Sequence, residues 1–299
     1  MAKITDYLKT IFFVLILLQI APPLLHSIKK QYFDALKPHT KVAYLPINGM
    51  VSNSSHYIKY LKKFYKNPEI KAILVKIESS GTTAGSAEAI ANEIEFYKKK
   101  YPKPIIVLTE NICASGAYLI AATTDHVIAS PSTIIGSIGT TIPNQFKVKN
   151  FLAHHNITYE SIKTGDYKDS TNPFTNPTQE ELVHLEGITH DSYQTFIEHV
   201  ARNRKRISLA KAPEWANGKL FTGKQALQNG LVDELGSLSN AIAYLKKAAL
   251  IEEKIEWIKP SESARGWLGY FMGQQDPTED ASSPLEGMIR KALLSCAIK

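Results

Sequence analysis

Short apolar runs alternate along this chain with stretches whose apolar residues recur every three or four positions. The runs Val42–Ile47, Ile70–Ile77, Ile105–Thr109, Val127–Ala129 and Ile255–Ile258 predict strands, since an unbroken apolar run suits a strand covered on both faces. Between them, Ser55–Lys66 carries Ile58, Leu61 and Tyr65 on one side, and Ser86–Lys100 carries Ala87, Ile90, Ile94 and Tyr97. Both patterns predict amphipathic helices. Ser115–Thr123 predicts a short helix of small residues, and Lys147–His155, Gln179–Arg206 and Ser237–Leu250 predict three more. Thr178-Gln-Glu-Glu181 has the form of a capping box that starts the second of these. Asn48-Gly49 predicts a turn after the first strand. Strands and helices that alternate through short connections predict an α/β fold with a largely parallel sheet.

One apolar block has a different length. Residues 10–28, between Lys9 and Lys29, contain no Asp, Glu, Lys or Arg. As a helix they would reach about 28 Å, close to the roughly 30 Å hydrocarbon core of a bilayer. This predicts an N-terminal transmembrane helix, with a cleaved signal peptide as the competing reading. Pro22-Pro23 would kink or end such a helix, but they are also poor neighbours for cleavage and no clean small-x-small site lies near Ala21, so the anchor is favoured. Either reading puts the body of the protein across the membrane. The expected organisation is an anchor and linker over 1–40, a main domain over 41–260 and a tail over 261–299. Within the tail, 274–284 reads as a flexible linker and Leu285–Ala297 as a short amphipathic helix.

Composition narrows the classes. With 44% apolar and 21% charged residues, the 299-residue chain is neither mainly disordered, nor collagen-like, nor a polytopic membrane protein. The net charge of +7 is partly terminal, where Lys3, Lys9, Lys29 and Lys30 face Asp6 alone. That suits a membrane surface better than nucleic acid, and no nucleic-acid partner is expected. Cys113 and Cys296 cannot form a disulfide framework or a four-ligand zinc site, and no metal or other cofactor is expected.

Three segments could carry chemistry. Asn111-Ile-Cys-Ala-Ser-Gly-Ala-Tyr118 follows a strand and opens a helix of small residues. Ser115 there is either a nucleophile at a helix N-terminus or simply a capping serine. Ser79-Ser-Gly-Thr-Thr-Ala-Gly85 follows the strand ending at Ile77; it could offer backbone N–H groups to an oxyanion, cradle phosphate or only turn the chain. Thr164-Gly-Asp-Tyr-Lys-Asp-Ser170 holds Lys168, an ordinary solvated lysine unless a nucleophile lies nearby. A lysine base must be neutral, which requires desolvation or a second cation. The histidines show no metal-ligand spacing and read as surface or satisfied residues, Cys113 reads as a buried thiol, and Arg202–Arg206 reads as the solvated or membrane-facing end of a long helix.

Taken in order, these segments resemble the signal peptide peptidase A family of membrane-anchored Ser/Lys proteases, peptidase family S49. Ile77-Glu-Ser-Ser-Gly-Thr82, Cys113-Ala-Ser-Gly-Ala-Tyr118, Ser132–Gly139, Lys163–Asp169, Gly218–Gly223 and Gly230–Gly236 follow the family's motifs over roughly Val42 to Leu250. The resemblance implies a Clp/crotonase-like α/β fold and a membrane-anchored, extracytoplasmic (periplasmic-side) endopeptidase of signal peptides or misfolded membrane-associated chains. It implies Ser115 as nucleophile and Lys168 as general base. The oxyanion hole would use backbone N–H groups of Gly116 and of Gly81 or Thr82. It also implies a homo-oligomeric ring in which neighbouring subunits complete each site. One motif departs: the family's Pro-Gly-Gly is Ser80-Gly81-Thr82 here, and threonine would be costly if that position needs a positive φ. A noncatalytic peptide-binding scaffold is therefore the alternative. An acyl-CoA enzyme on the same fold type is a third reading, disfavoured by the membrane segment and the Ser/Lys pair.

Overall fold

The computed structural model describes residues 39–142 and 146–260, together with 12, 14, 16–19 and 21–23. The described positions of the expected membrane segment are helical; its other residues, positions 30–38 of the linker expected over 30–40, and the tail over 261–299 lie outside the described residues. Among the described residues no helix is long and apolar enough to cross a membrane.

The body is mixed α/β, built on one nine-stranded sheet. Its strands are β1 (His39–Val51), β2 (Ile70–Thr82), β3 (Ile105–Thr109), β4 (Ile112–Ala114), β5 (His126–Ala129), β6 (Ile134–Gly136), β7 (Leu220–Thr222), β8 (Glu234–Leu235) and β9 (Lys254–Ile258). All pairings are parallel except β6 with β7. The sheet branches at β2. One edge of β2 follows β1 along its length, while the other pairs first with β3, at Ile73–Lys76, and then with β4, at Ser79. From β4 the order runs on through β6 to β7.

Helices cover both faces, as the unbroken apolar runs require. The side chains of Ile73, Val75 and Ile77 enter a large core with Phe64 and Tyr65 of α1 (Ser55–Lys66), Ile90 and Ile94 of α2 (Ala84–Lys100) and Tyr118 of α3 (Gly116–Ala122). Ala72 and Leu74, alternating with them, enter a smaller core with Ile106, Ile128 and Leu245. Each buried Val, Leu, Ile or Phe among these stabilises the fold by roughly 1.5–3 kcal/mol. Three short helices, α4 (Lys149–His154), α6 (Ala212–Trp215) and α7 (Gly223–Gln228), flank the long α5 (Gln179–Asn203), and α8 (Leu238–Ala248) lies under the smaller core. The capping box at α5 is present: Glu181 N–H donates to Thr178 Oγ1 at 3.1 Å, and Thr178 N–H donates to Glu181 Oε2 at 2.7 Å.

Four local expectations are corrected. Asn48-Gly49 is not a turn, because β1 runs on to Val51 and absorbs Gly49 as a register shift against β2. The glycine-bearing segment is a strand through Thr82 rather than a loop after Ile77. The strand β4 was hidden inside the nucleophile segment, since three residues are too few to show a period. The α5 helix ends at Asn203 rather than Arg206, and Arg204 turns inward, only 4% exposed, to pair with Asp233 at 2.6 Å.

Candidate active site

Ser115 stands where β4 hands over to α3. Its N–H donates to Gly136 O of β6 at 2.7 Å, and its carbonyl accepts from Tyr118 N–H at 2.8 Å. The chain must therefore pivot between a sheet bond and a helix bond within one residue. It does so at φ 53°, ψ −134°. A non-glycine residue held there costs on the order of 1–3 kcal/mol, a strain that persists only where the surroundings impose it. Although Ser115 occupies the N-cap position, its side chain makes no capping hydrogen bond. The capping-serine alternative thus loses its physical basis, and the hydroxyl projects from the elbow with no cap to serve.

The tip of β2 lies against this elbow. Ser79 pairs with Cys113, so two residues further on Gly81 arrives beside Ser115. A Cβ on Gly81 would sit 3.3 Å from Ser115 Cβ and 3.6 Å from Ser115 Oγ. Only a glycine leaves the serine this much room. The buried Ser79 hydroxyl serves both backbone groups of Gly81, accepting from its N–H at 3.2 Å and donating to its carbonyl at 3.0 Å. Thr82 comes next, and it is not among the non-glycine residues with positive φ. The backbone cost attached to threonine at this place does not arise. Its side chain instead packs over Gly116, where a Cβ would fall 2.1 Å from Thr82 Oγ1 and 3.0 Å from Ala87 Cβ. Threonine at 82 and glycine at 116 are therefore complementary. Gly116 is the first residue of α3, and the N–H groups of a helix's first turn have no intrahelical acceptor.

Lys168 is in a different setting. It lies on an exposed turn, its N–H donating to Gly165 O at 3.2 Å. Among the described residues no hydrogen bond or ion pair joins Lys168 to Ser115. The structure thus brings Ser115, Gly81, Thr82 and Gly116 together, while within one chain Lys168 shares no hydrogen bond or ion pair with them among the described residues. The segment around it exposes large apolar side chains, including Phe146, Phe151, Tyr167 and Ile162, the last 98% exposed.

The other candidates fall away. Cys113 is fully buried, and burial, followed by the nearby Glu78 charge, pushes its thiol well up from the ordinary value. Burial thus disfavours the thiolate that a nucleophilic cysteine would need. The buried His199 is satisfied by Thr123 Oγ1 at 2.9 Å and Arg202 at 3.0 Å. Sequence reasoning passed over two residues of the corner, Ser137 and Glu78. Ser137 follows Gly136 at φ 50°, a second strained serine one residue from the carbonyl that holds Ser115. No local pattern announces either one.

Residues 97–252 match the model of peptidase family S49. The chain is 31% identical over 228 residues to a candidate protease of Methanocaldococcus jannaschii, covering 74% of this chain and 72% of that one. It is 30% identical over 263 residues to a candidate signal peptide peptidase SppA of Enterococcus faecium, covering 82% and 75%. Protease 4 of Haemophilus influenzae is 33% identical over 189 residues, which are 62% of this chain but 29% of that longer one.

Proposed function

The chain belongs to peptidase family S49, and from that premise we propose that it is a serine endopeptidase with Ser115 as nucleophile and Lys168 as general base. The observation that carries the reading is the Ser115 elbow: a strained serine, without a capping bond, pressed against a glycine at the end of a parallel strand. The curled, parallel-rich sheet is compatible with a Clp/crotonase-like fold.

In this reading Ser115 Oγ attacks the carbonyl carbon of an extended peptide, and Lys168 Nζ takes the hydroxyl proton. The carbonyl oxygen, now an oxyanion, is met by the N–H groups of Gly116 and Thr82. Gly81 is the weaker candidate because its N–H is engaged by Ser79. Thr83 N–H donates across to Val51 of β1 at 3.0 Å, and alternation along the strand then directs the Thr82 N–H to the opposite edge, that of Ser115. Each donor in such a hole is worth about 2.7–4 kcal/mol at the transition state. Collapse expels the amine, which takes the proton from Lys168. Water then attacks the acyl carbon as it gives a proton to Lys168, and Lys168 passes that proton to Ser115 Oγ as the acid leaves.

A lysine can do this only where desolvation or a nearby second cation favours its neutral form. Lys168 is exposed in the protomer, so the reading includes a ring in which a neighbouring copy covers it and supplies the serine it serves. The exposed apolar side chains beside Lys168 support such a contact. Helical positions Phe12, Val14, Leu17 and Leu18, all exposed, support the single-pass anchor, with the body on the extracytoplasmic side. The substrates would be signal peptides or misfolded, membrane-associated chains.

The test is hydrolysis of an unfolded protein by the full chain in detergent, beside Ser115→Ala and Lys168→Ala. Loss with either variant is expected; full activity in either contradicts the dyad. The scaffold reading keeps one specific observation, the Ser80-Gly81-Thr82 departure. If Ser80→Pro with Thr82→Gly creates an activity that the native chain lacks, the scaffold reading replaces the enzyme.

A further inference from the structure

Glu78 lies where β2 changes partners. Lys76 is the last β2 residue opposite β3, facing Leu108, and Ser79 is opposite Cys113 of β4. Between those points the chain turns from β3 into β4 through Glu110 and Asn111. Strand pairing cannot satisfy the N–H groups of that turn, and unsatisfied backbone donors at a half-buried place are costly. The Glu78 carboxylate accepts from both turn residues and also from Ile112 at the start of β4. Its Oε1 accepts from Glu110 N–H at 2.9 Å, and its Oε2 accepts from Asn111 N–H at 3.0 Å and Ile112 N–H at 3.4 Å. The carbonyls of the same turn are held from the other side: Thr133 Oγ1 donates to Glu110 O at 2.9 Å, and Ile134 N–H donates to Asn111 O at 2.9 Å.

We propose that Glu78 is a positioning residue for Ser115, its carboxylate fixing the register of β4 on β2 that sets the nucleophile against Gly81. The proposal rests on Ser115 being the nucleophile. The geometry is economical. A β4 of three residues meets β2 through the single pair Ser79–Cys113, too little to define register alone. A slip of one residue would turn Ser115 to the other face of the sheet. The two charge-assisted bonds to Glu110 and Asn111, with the longer contact to Ile112, supply the definition that the short strand lacks. Glutamine keeps one acceptor oxygen of the two, alanine none. Lys76 and Glu110 form an ion pair beside the clamp, 2.5 Å apart, whose Lys76 end touches none of the clamped N–H groups.

The experiment is steady-state peptide hydrolysis by the full chain in detergent, with the rate of Ser115 labelling by a fluorophosphonate read in parallel. Glu78→Ala is expected to lower kcat about 10²-fold, the cost of a displacement of about 1 Å, with KM little changed. Glu78→Gln is expected to fall between Glu78→Ala and wild type at an unchanged melting temperature, and Lys76→Ala to match wild type. Labelling should slow in the same order as kcat. Wild-type kcat in both Glu78 variants overturns the proposal, as does a loss that only tracks the unfolded fraction. Ser115→Ala runs in the same assay: if it still hydrolyses, the nucleophile reading itself has failed, whereas an inactive Ser115→Ala beside fully active Glu78 variants sinks only the positioning role.

Discussion

The corner around Ser115 and the turn around Lys168 are built in opposite ways. At Ser115 the neighbouring backbone groups are paired through β6, α3 and the Ser79 hydroxyl, and the surrounding residues are buried. At Lys168 the chain is held by turn hydrogen bonds and its apolar side chains face outward. Under the proposed Ser115/Lys168 dyad, the difference means that one chain completes the strained, preorganised half of the chemistry by itself. Under the same proposal, the proton-transferring half would draw on a neighbouring copy to cover the exposed Lys168.

Several substitutions sharpen that contrast. The largest effect is expected from the dyad itself: Ser115→Ala and Lys168→Ala should each lower kcat by about 10⁴-fold or more in a hydrolysis assay. Because Lys168 is exposed, its loss should change stability by no more than about 0.5 kcal/mol in a denaturant titration. A Lys168→Ala protein that unfolds readily would show that the turn is not the independent surface described here. Next comes Gly81→Ala, which puts a methyl group against the nucleophile and should cost about 10²-fold in activity without altering assembly. Unchanged turnover would mean that β2 and the elbow do not form one site.

A smaller loss, about tenfold, is expected from Ile162→Lys, if that side chain is an anchor worth more than about 1 kcal/mol in a subunit contact. Sedimentation should then show smaller assemblies; an unaltered assembly with full activity would detach the apolar turn from function. The smallest effect concerns pH and lies outside both regions. Burial lowers the His199 pKa, Glu95 raises it in part, and Arg202 lowers it again, leaving it below its ordinary 6.5. At Glu95 burial acts upward, but hydrogen bonds from Asn203 and Arg202 and the His199 charge outweigh it and hold the carboxyl below 4.5. Both folded-state values are depressed, so the unfolded chain binds more protons as pH falls. Stability should be full above about pH 6.5, decline below it through His199, and decline further below about 4.5 through Glu95. Melting temperatures across pH should show this, with the first step absent in His199→Gln.

Much of the framework could be read from the chain because its signals are local. Ile70–Ile77 and Ile105–Thr109 are apolar without interruption since both faces of their strands are covered. Thr178 and Glu181 announce α5 by a chemistry that spans four residues. What escaped depends on distant partners. Gly49 resembles a turn glycine until β2 lies beside it and converts the kink into a register shift. Arg204 resembles a solvated helix end until Asp233, far along the chain, draws it inside. The Ser115 segment could be located, but not its strain, because φ 53° follows from Gly136 and α3 pulling on the same residue. Glu78 carried no signal at all, since its role exists only where β2 exchanges β3 for β4.

The measurement that bears most directly on this division of labour is a mixing experiment. Inactive Ser115→Ala and inactive Lys168→Ala chains are unfolded together, reassembled in equal amounts, and assayed for peptide hydrolysis. If each Ser115 is served by the Lys168 of a neighbouring copy, random assortment in a closed ring should restore about a quarter of the sites. Mixed assemblies that form fully and remain as inactive as either parent would contradict the account, because both halves of the dyad would then have to come from one chain.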